Sequence, residues 1–127
     1  MTAAAPGSTQ PWLLHTNIPE DPAATGITYI AGPMTGYPDH NYPAFMAKAA
    51  ELRAAGVPVI NPAEFHGNDL DHPWDWYLRR DLAQLVKCAR VVFLPGWRGS
   101  RGAQLEHDVA QRLGLELVYP PEDGPRQ

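Results

Sequence analysis

Strand-like and helix-like patterns take turns along this chain from Ile27 to Tyr119, and no other feature narrows the possible folds so far. Ile27-Thr28-Tyr29-Ile30-Ala31 reads as a strand stopped by Gly32-Pro33. Tyr42 to Ala55 has helical spacing through Phe45, Ala49 and Leu52 and ends at Gly56, and Val57-Pro58-Val59-Ile60 then makes a second strand closed by Asn61-Pro62. A polar loop over 63–73 leads into a helix from Trp74 to Ala89, with Leu78, Leu82, Leu85 and Ala89 on one stripe. Val91 to Leu94 is the third strand. A helix from about Ala103 to Leu113 stops at Gly114, and Leu115 to Tyr119 is a fourth strand ended by Pro120-Pro121. Such alternation implies right-handed crossovers and parallel strands covered on both sides. The expected architecture is a small doubly wound α/β fold, Rossmann-like or flavodoxin-like, with four to five parallel strands and helices on both faces.

Ligands in such folds bind beyond the carboxyl ends of the strands, where the strand order reverses. Three polar segments lie at those ends: Gly32-Pro33-Met34-Thr35-Gly36, the loop after Ile60, and Gly96 to Glu106. The last is the most informative. Ser100-Arg101-Gly102 makes a strand-to-helix turn with backbone N–H groups free to hold an anion. Glu106 follows one turn later, sharing a face with Val109, Ala110 and Leu113, so the carboxylate points inward or toward the sheet's end. Carboxylates are rarely buried without a reason.

Asp81 sits at the margin of the apolar stripe of its helix, and with Glu106 it can converge above the intervening strand. Two such carboxylates repel, so one pKa rises and the other group stays ionised, the arrangement that glycosidic cleavage needs. The glycines of Tyr29-Ile-Ala-Gly-Pro-Met-Thr-Gly36 allow close backbone approach to a ligand and serve a plain tight turn equally well. Trp74, Trp76 and Trp97 offer faces for a planar ligand or for core packing. His66 and His72 in HGNDLDH have neither tetrahedral ligand spacing nor EF-hand order, so a solvated loop is expected there and no metal.

A chain of 127 residues, 44% hydrophobic and 19% charged, suits one globular core. Residues 1–25 lack periodicity apart from Trp12-Leu13-Leu14 and read as a flexible leader, leaving one domain over 26–127. A net charge of −4 gives no footprint for polymeric nucleic acid. No run approaches the roughly 20 apolar residues of a membrane span, and no signal peptide is evident, so a cytoplasmic protein is expected. Cys88, the single cysteine, reads as a buried and inert thiol.

Taken together, Tyr29-Ile-Ala-Gly-Pro, Asp81-Leu-Ala-Gln-Leu-Val-Lys-Cys-Ala-Arg-Val-Val and Ser100-Arg-Gly-Ala-Gln-Leu-Glu106 resemble the nucleoside 2-deoxyribosyltransferase-like superfamily over roughly 27–119. The likeness is to its DUF4406-type members and to the 2'-deoxynucleoside 5'-monophosphate N-glycosidases. The resemblance implies that Glu106 is a nucleophile attacking the anomeric carbon, that Asp81 assists the leaving base, and that Tyr29 orients the nucleophile. It also implies a small-molecule nucleotide substrate, no cofactor, and a homodimer or higher homo-oligomer.

Ser100 separates branches of that superfamily. The resemblance places an acidic residue there in transferases, for a free 5'-hydroxyl, and Ser in an S-x-G turn in nucleotide hydrolases, for a 5'-phosphate. With Gly32, Pro33, Met34, Thr35 and Gly36, the turn Ser100-Arg101-Gly102 is the expected substrate- and phosphate-binding set. Arg98 and Arg101 either add charge there or face solvent. Two departures stand: PPEDGPRQ supplies no assignable residue to a partner's site, and Gly32-Pro33-Met34-Thr35 lacks the arginine of the hydrolases. The expected activity is hydrolysis of (deoxy)nucleoside 5'-monophosphates. Base exchange and a non-catalytic nucleotide sensor are the alternatives.

Overall fold

The computed structural model describes residues 18–65 and 71–121. Four strands, β1 (Thr28–Ala31), β2 (Val59–Ile60), β3 (Arg90–Phe93) and β4 (Glu116–Val118), alternate with three helices, α1 (Tyr42–Ala54), α2 (Trp74–Leu85) and α3 (Arg101–Arg112). The strands form one parallel sheet in the order β2-β1-β3-β4. The chain steps outward from β1 to β2, then crosses back to β3, so the strand order reverses between β1 and β3. Their carboxyl ends mark the crevice where a ligand is expected.

Period-two alternation divides the core into two layers. Ile30 faces α1 and packs with Phe45, Ala49, Ala63 and Leu94. Tyr29 and Ala31 face the other way, toward α2 and α3, with Leu85, Cys88, Val91, Phe93, Ala103 and Ala110. Burying each large side chain of these layers stabilises the fold by about 1.5–3 kcal/mol.

Local chemistry sets the element ends, and several differ from the sequence expectation. The α2 stripe predicts helix to Ala89, yet α2 stops at Leu85. Its last turns tighten through Lys87 N–H to Gln84 O and Cys88 N–H to Leu85 O, and the Ala89 N–H is already taken by Ile27 O of the β1 approach at 2.8 Å. α3 begins two residues earlier than expected because Ser100 Oγ accepts the Ala103 N–H at 3.2 Å and caps it. Leu113, expected on the buried face, follows the last helical residue and is 57% exposed. β2 is confined to Val59–Ile60, since Pro58 has no N–H to donate and serves the sheet through its carbonyl, which accepts from Thr28 at 2.9 Å.

Of the expected leader, residues 1–17, with Trp12-Leu13-Leu14, lie outside the described residues, and Pro22–Thr25 forms a single 3-10 turn before β1. His66 is likewise outside them. Among the described residues no helix is long and apolar enough to cross a membrane, and no group of three or more His, Cys, Asp or Glu side chains could hold a metal ion.

Candidate active site

The site is built from the α2/α3 layer of the sheet. The Ser100 cap fixes the phase of α3, so Ala103, Glu106 and Ala110 turn toward the strands. Glu106 is 5% exposed and is the buried charged residue among those described. Tyr29, fully buried on β1, donates its phenol proton to Glu106 Oε2 at 2.6 Å. A donor at that distance from a carboxylate restrains the side chain in one rotamer and favours its charged form.

Burial is the larger influence, and it pushes the Glu106 carboxyl up to about 8, with the Tyr29 bond pulling down and the charge of Asp81 pushing up. The Tyr29 phenol is held well above its ordinary range by burial first and then by Glu106 and Asp81. Asp81, half-buried on α2, therefore acts on both members of the pair. Opposite pH effects follow if activity needs ionised Glu106. For wild type, kcat/KM is expected to rise with pH as a carboxyl near pKa 8 loses its proton. Tyr29→Phe removes a lowering influence and moves that limb to higher pH, while Asp81→Asn removes a raising one and moves it lower. Measured pH profiles with limbs moving in the same direction would contradict the assignment.

Glu106 opens into a cleft of about 280 Å³ between the carboxyl end of the sheet and the first turns of all three helices. The β1 exit lines it with Gly32, Met34, Thr35 and His40, and α1 with Tyr42 and Phe45. His72, Trp74, Tyr77, Leu78 and Asp81 form the α2 side, and Ser100, Gly102, Ala103 and Glu106 the α3 side. The lining thus gathers eight of the residues that the sequence offered for the site (Gly32, Met34, Thr35, Trp74, Asp81, Ser100, Gly102 and Glu106), with Tyr29 directly behind Glu106.

Other named residues do not line it. Pro33 is buried and presents its carbonyl to Asn41 Nδ2 at 2.9 Å. Gly36 adopts φ +85° in an exposed turn with open space around it, so backbone conformation accounts for it. Gly32 does line the cleft, but a Cβ there would meet Leu94 Cβ at 2.8 Å, so close packing of β1 on the β3 exit requires it. The Arg101 side chain lies over the Trp74 ring at 4.2 Å and Arg98 over Trp97 at 4.5 Å. Trp97 is core, 3% exposed and stacked with His107 and Tyr119. Trp76 is stacked on His72 at 3.6 Å and covered by Arg80 at 3.7 Å. Cys88 is buried, and burial pushes its thiol up to about 12, which leaves it unreactive.

His40, Tyr42 and Tyr77 were not singled out in the sequence, which gave Phe45 to the core face of its helix and His72 to a solvated loop. The Tyr42 phenol is raised by burial and by the nearby Tyr77 and Asp81. The Tyr77 hydroxyl accepts the His72 N–H at 3.1 Å, tying the end of the loop to α2. His40 stands in a run of three non-glycine residues, Asp39, His40 and Asn41, all with φ between 52° and 61°. Each such residue costs about 1–2 kcal/mol, and no glycine or repeat in the sequence announces the turn. The signal that could have found the aromatic residues is positional, because every helix of this fold starts at the ligand end of the sheet and its first turn faces the crevice.

The fold is similar to that of a 2-deoxyribosyltransferase from Leishmania mexicana, with a TM-score of 0.57 and 18% sequence identity over 73% of this chain. The chain spans 62% of that protein's length. No curated protein sequence matches. The model of a family described as a domain of unknown function, DUF4406, matches residues 27–119, which run from the approach to β1 to the exit of β4. The chain belongs to the DUF4406 family, and its α/β fold is similar to that of the Leishmania mexicana 2-deoxyribosyltransferase.

Proposed function

We propose that the protein is an N-glycosidase of (deoxy)nucleoside 5'-monophosphates, releasing free base and sugar phosphate through a glycosyl adduct on Glu106. The observation that carries this reading is the buried Tyr29–Glu106 bond of 2.6 Å at the wall of an aromatic cleft. A pure binder of anionic ligands gains nothing from two carboxylates in its pocket, whereas displacement at an anomeric carbon uses both.

In the proposed reaction ionised Glu106 forms a bond to C1' as the bond from C1' to the base breaks. The electron pair leaves with the base, which takes up a proton from the Asp81 side of the cleft. Positive charge develops on the sugar ring and is stabilised by the flanking carboxylates. Water then attacks C1', Glu106 departs as carboxylate, and the proton that water gives up returns to the Asp81 side of the cleft in place of the one the base took, so one water is consumed per turnover. Tyr42, Tyr77 and His72 supply faces for a planar base. The capped N-terminus of α3 supplies Ser100 and the N–H groups of Arg101 and Gly102 for the 5'-phosphate.

Base exchange is the second reading, supported by the activity named for the Leishmania mexicana protein. It differs only in that an acceptor base takes the place of water at the adduct. The deciding experiment is chromatography of ribo- and deoxynucleoside 5'-monophosphates and their nucleosides after incubation with enzyme, with and without a second free base. Base released from monophosphates without acceptor supports the hydrolase, and product formed solely with acceptor supports the transferase. No turnover with ligand binding retained would replace both by a nucleotide sensor.

A further inference from the structure

Trp74 stands at the cleft mouth with 42% of its surface exposed, and its indole nitrogen lies beside the start of α3. The position that a Cβ would take on Gly102 lies 3.7 Å from Trp74 Nε1 and 3.9 Å from Ser100 Oγ. Both polar atoms therefore border one small space above the Gly102 backbone. The donors around that space are unspent. Ser100 Oγ accepts from Ala103 N–H and Ser100 O from Gln104 N–H, which leaves the hydroxyl proton and the N–H groups of Arg101 and Gly102. Among the described residues the Trp74 indole N–H has no acceptor, and the Arg101 guanidinium has no carboxylate partner. Its seat is the Trp74 ring, 4.2 Å away.

Resting on the proposed function, we infer that Trp74 and Arg101 are specificity-determining residues forming a clamp on the substrate's 5'-phosphomonoester. The indole N–H donates to one phosphate oxygen, and its ring holds the Arg101 cation beside the dianion. A phosphate at this turn meets donors from two elements, α2 and α3, in place of a helix end alone. The clamp also supplies the positive charge that the β1 exit lacks, since Gly32-Pro33-Met34-Thr35 carries no arginine. Stacking on an indole leaves the guanidinium edge N–H groups available, so Arg101 keeps its seat while binding oxygen.

The test is calorimetric titration of deoxyribose 5-phosphate and of inorganic phosphate into the Glu106→Gln protein, which removes chemistry from the readout. Trp74→Phe, which keeps the ring and deletes the N–H, and Arg101→Gln should each weaken deoxyribose 5-phosphate binding roughly tenfold, as expected for a lost hydrogen bond to a charged group. In a Trp74→Ala background Arg101→Gln should add less than twofold, because the cation has already lost its seat. In the otherwise native enzyme both single variants should lower the ratio of kcat/KM for monophosphate over nucleoside by about tenfold, with thermal melts recording that each is folded. The clamp is overturned if the parent protein binds deoxyribose 5-phosphate and both variants bind it within twofold as well. If the parent binds no sugar phosphate and the enzyme prefers nucleosides, the monophosphate reading itself fails and the clamp with it.

Discussion

Glu106→Gln is expected to abolish base release while making the folded protein more stable at alkaline pH. The amide keeps the shape of the side chain and can still accept from Tyr29, but it cannot form the glycosyl bond, so kcat should fall by roughly 10⁴ or more. The stability effect has the opposite sign because the buried carboxyl is raised from its ordinary range to about 8 in the folded chain. A group raised in this way holds its proton more tightly when folded. Its contribution is complete below the unfolded value near 4.5 and disappears as pH rises through about 8. Wild type therefore bears a burden on the order of 4 kcal/mol at pH 8 and above, which the neutral amide removes. Thermal melts should place the variant several degrees above wild type at pH 8 and close to it at pH 5. A variant less stable than wild type at pH 8 would mean that the carboxylate is better solvated in the fold than its burial indicates. Retained turnover would remove Glu106 from the mechanism.

That burden explains why the centre of the site was legible from the sequence. A carboxylate in phase with Ala103 and Ala110 on a helix packed against a sheet opposes folding, and a chain that keeps one there signals chemistry through the misfit. Tyr29 was singled out by the resemblance, and the strand's period of two accounts for its place in the layer facing α2 and α3, opposite Ile30. Asp81 was legible through its offset from Leu78 and Leu85. The α/β order followed from alternation, whereas the strand order that puts the crevice between β1 and β3 is seen only in the folded sheet. The cleft's aromatic wall did not, because it depends on how the first helical turns lean over the sheet. Tyr42 and Tyr77 belong to different elements and meet near Asp81 only in three dimensions. His40 depends on a left-handed run that Asp, His and Asn adopt without any glycine to mark it. Arg101, a phosphate candidate by sequence, turned out to be seated on Trp74, a contact between residues 27 positions apart that no local pattern encodes.

Ser100→Asp should collapse the preference for phosphorylated substrates while leaving the scaffold intact. Ser100 does two jobs at one point, capping α3 through the 3.2 Å bond from Ala103 N–H and bordering the cleft. Aspartate is as good a cap as serine, and its charge suits a helix N-terminus, so the melting temperature should hold or rise slightly. Toward a phosphate the two residues differ completely. A carboxylate about 4 Å from a phosphate oxygen in a setting of effective dielectric near 20 opposes binding by about 4 kcal/mol per pair of unit charges. Part of that is relieved by side-chain rotation into solvent, so a fall of 10²–10³-fold in kcat/KM for monophosphates relative to nucleosides is expected. A free 5'-hydroxyl can donate to the same carboxylate, so nucleosides escape the repulsion altogether. Separating the cap from the charge makes the result decisive, because an unfolded or loosened α3 would depress both substrates together. Equal loss on nucleosides and nucleotides at an unchanged melting temperature would move the phosphate away from α3, whereas selective loss would fix it at Ser100 and make the charge of this single side chain the switch between nucleotide and nucleoside.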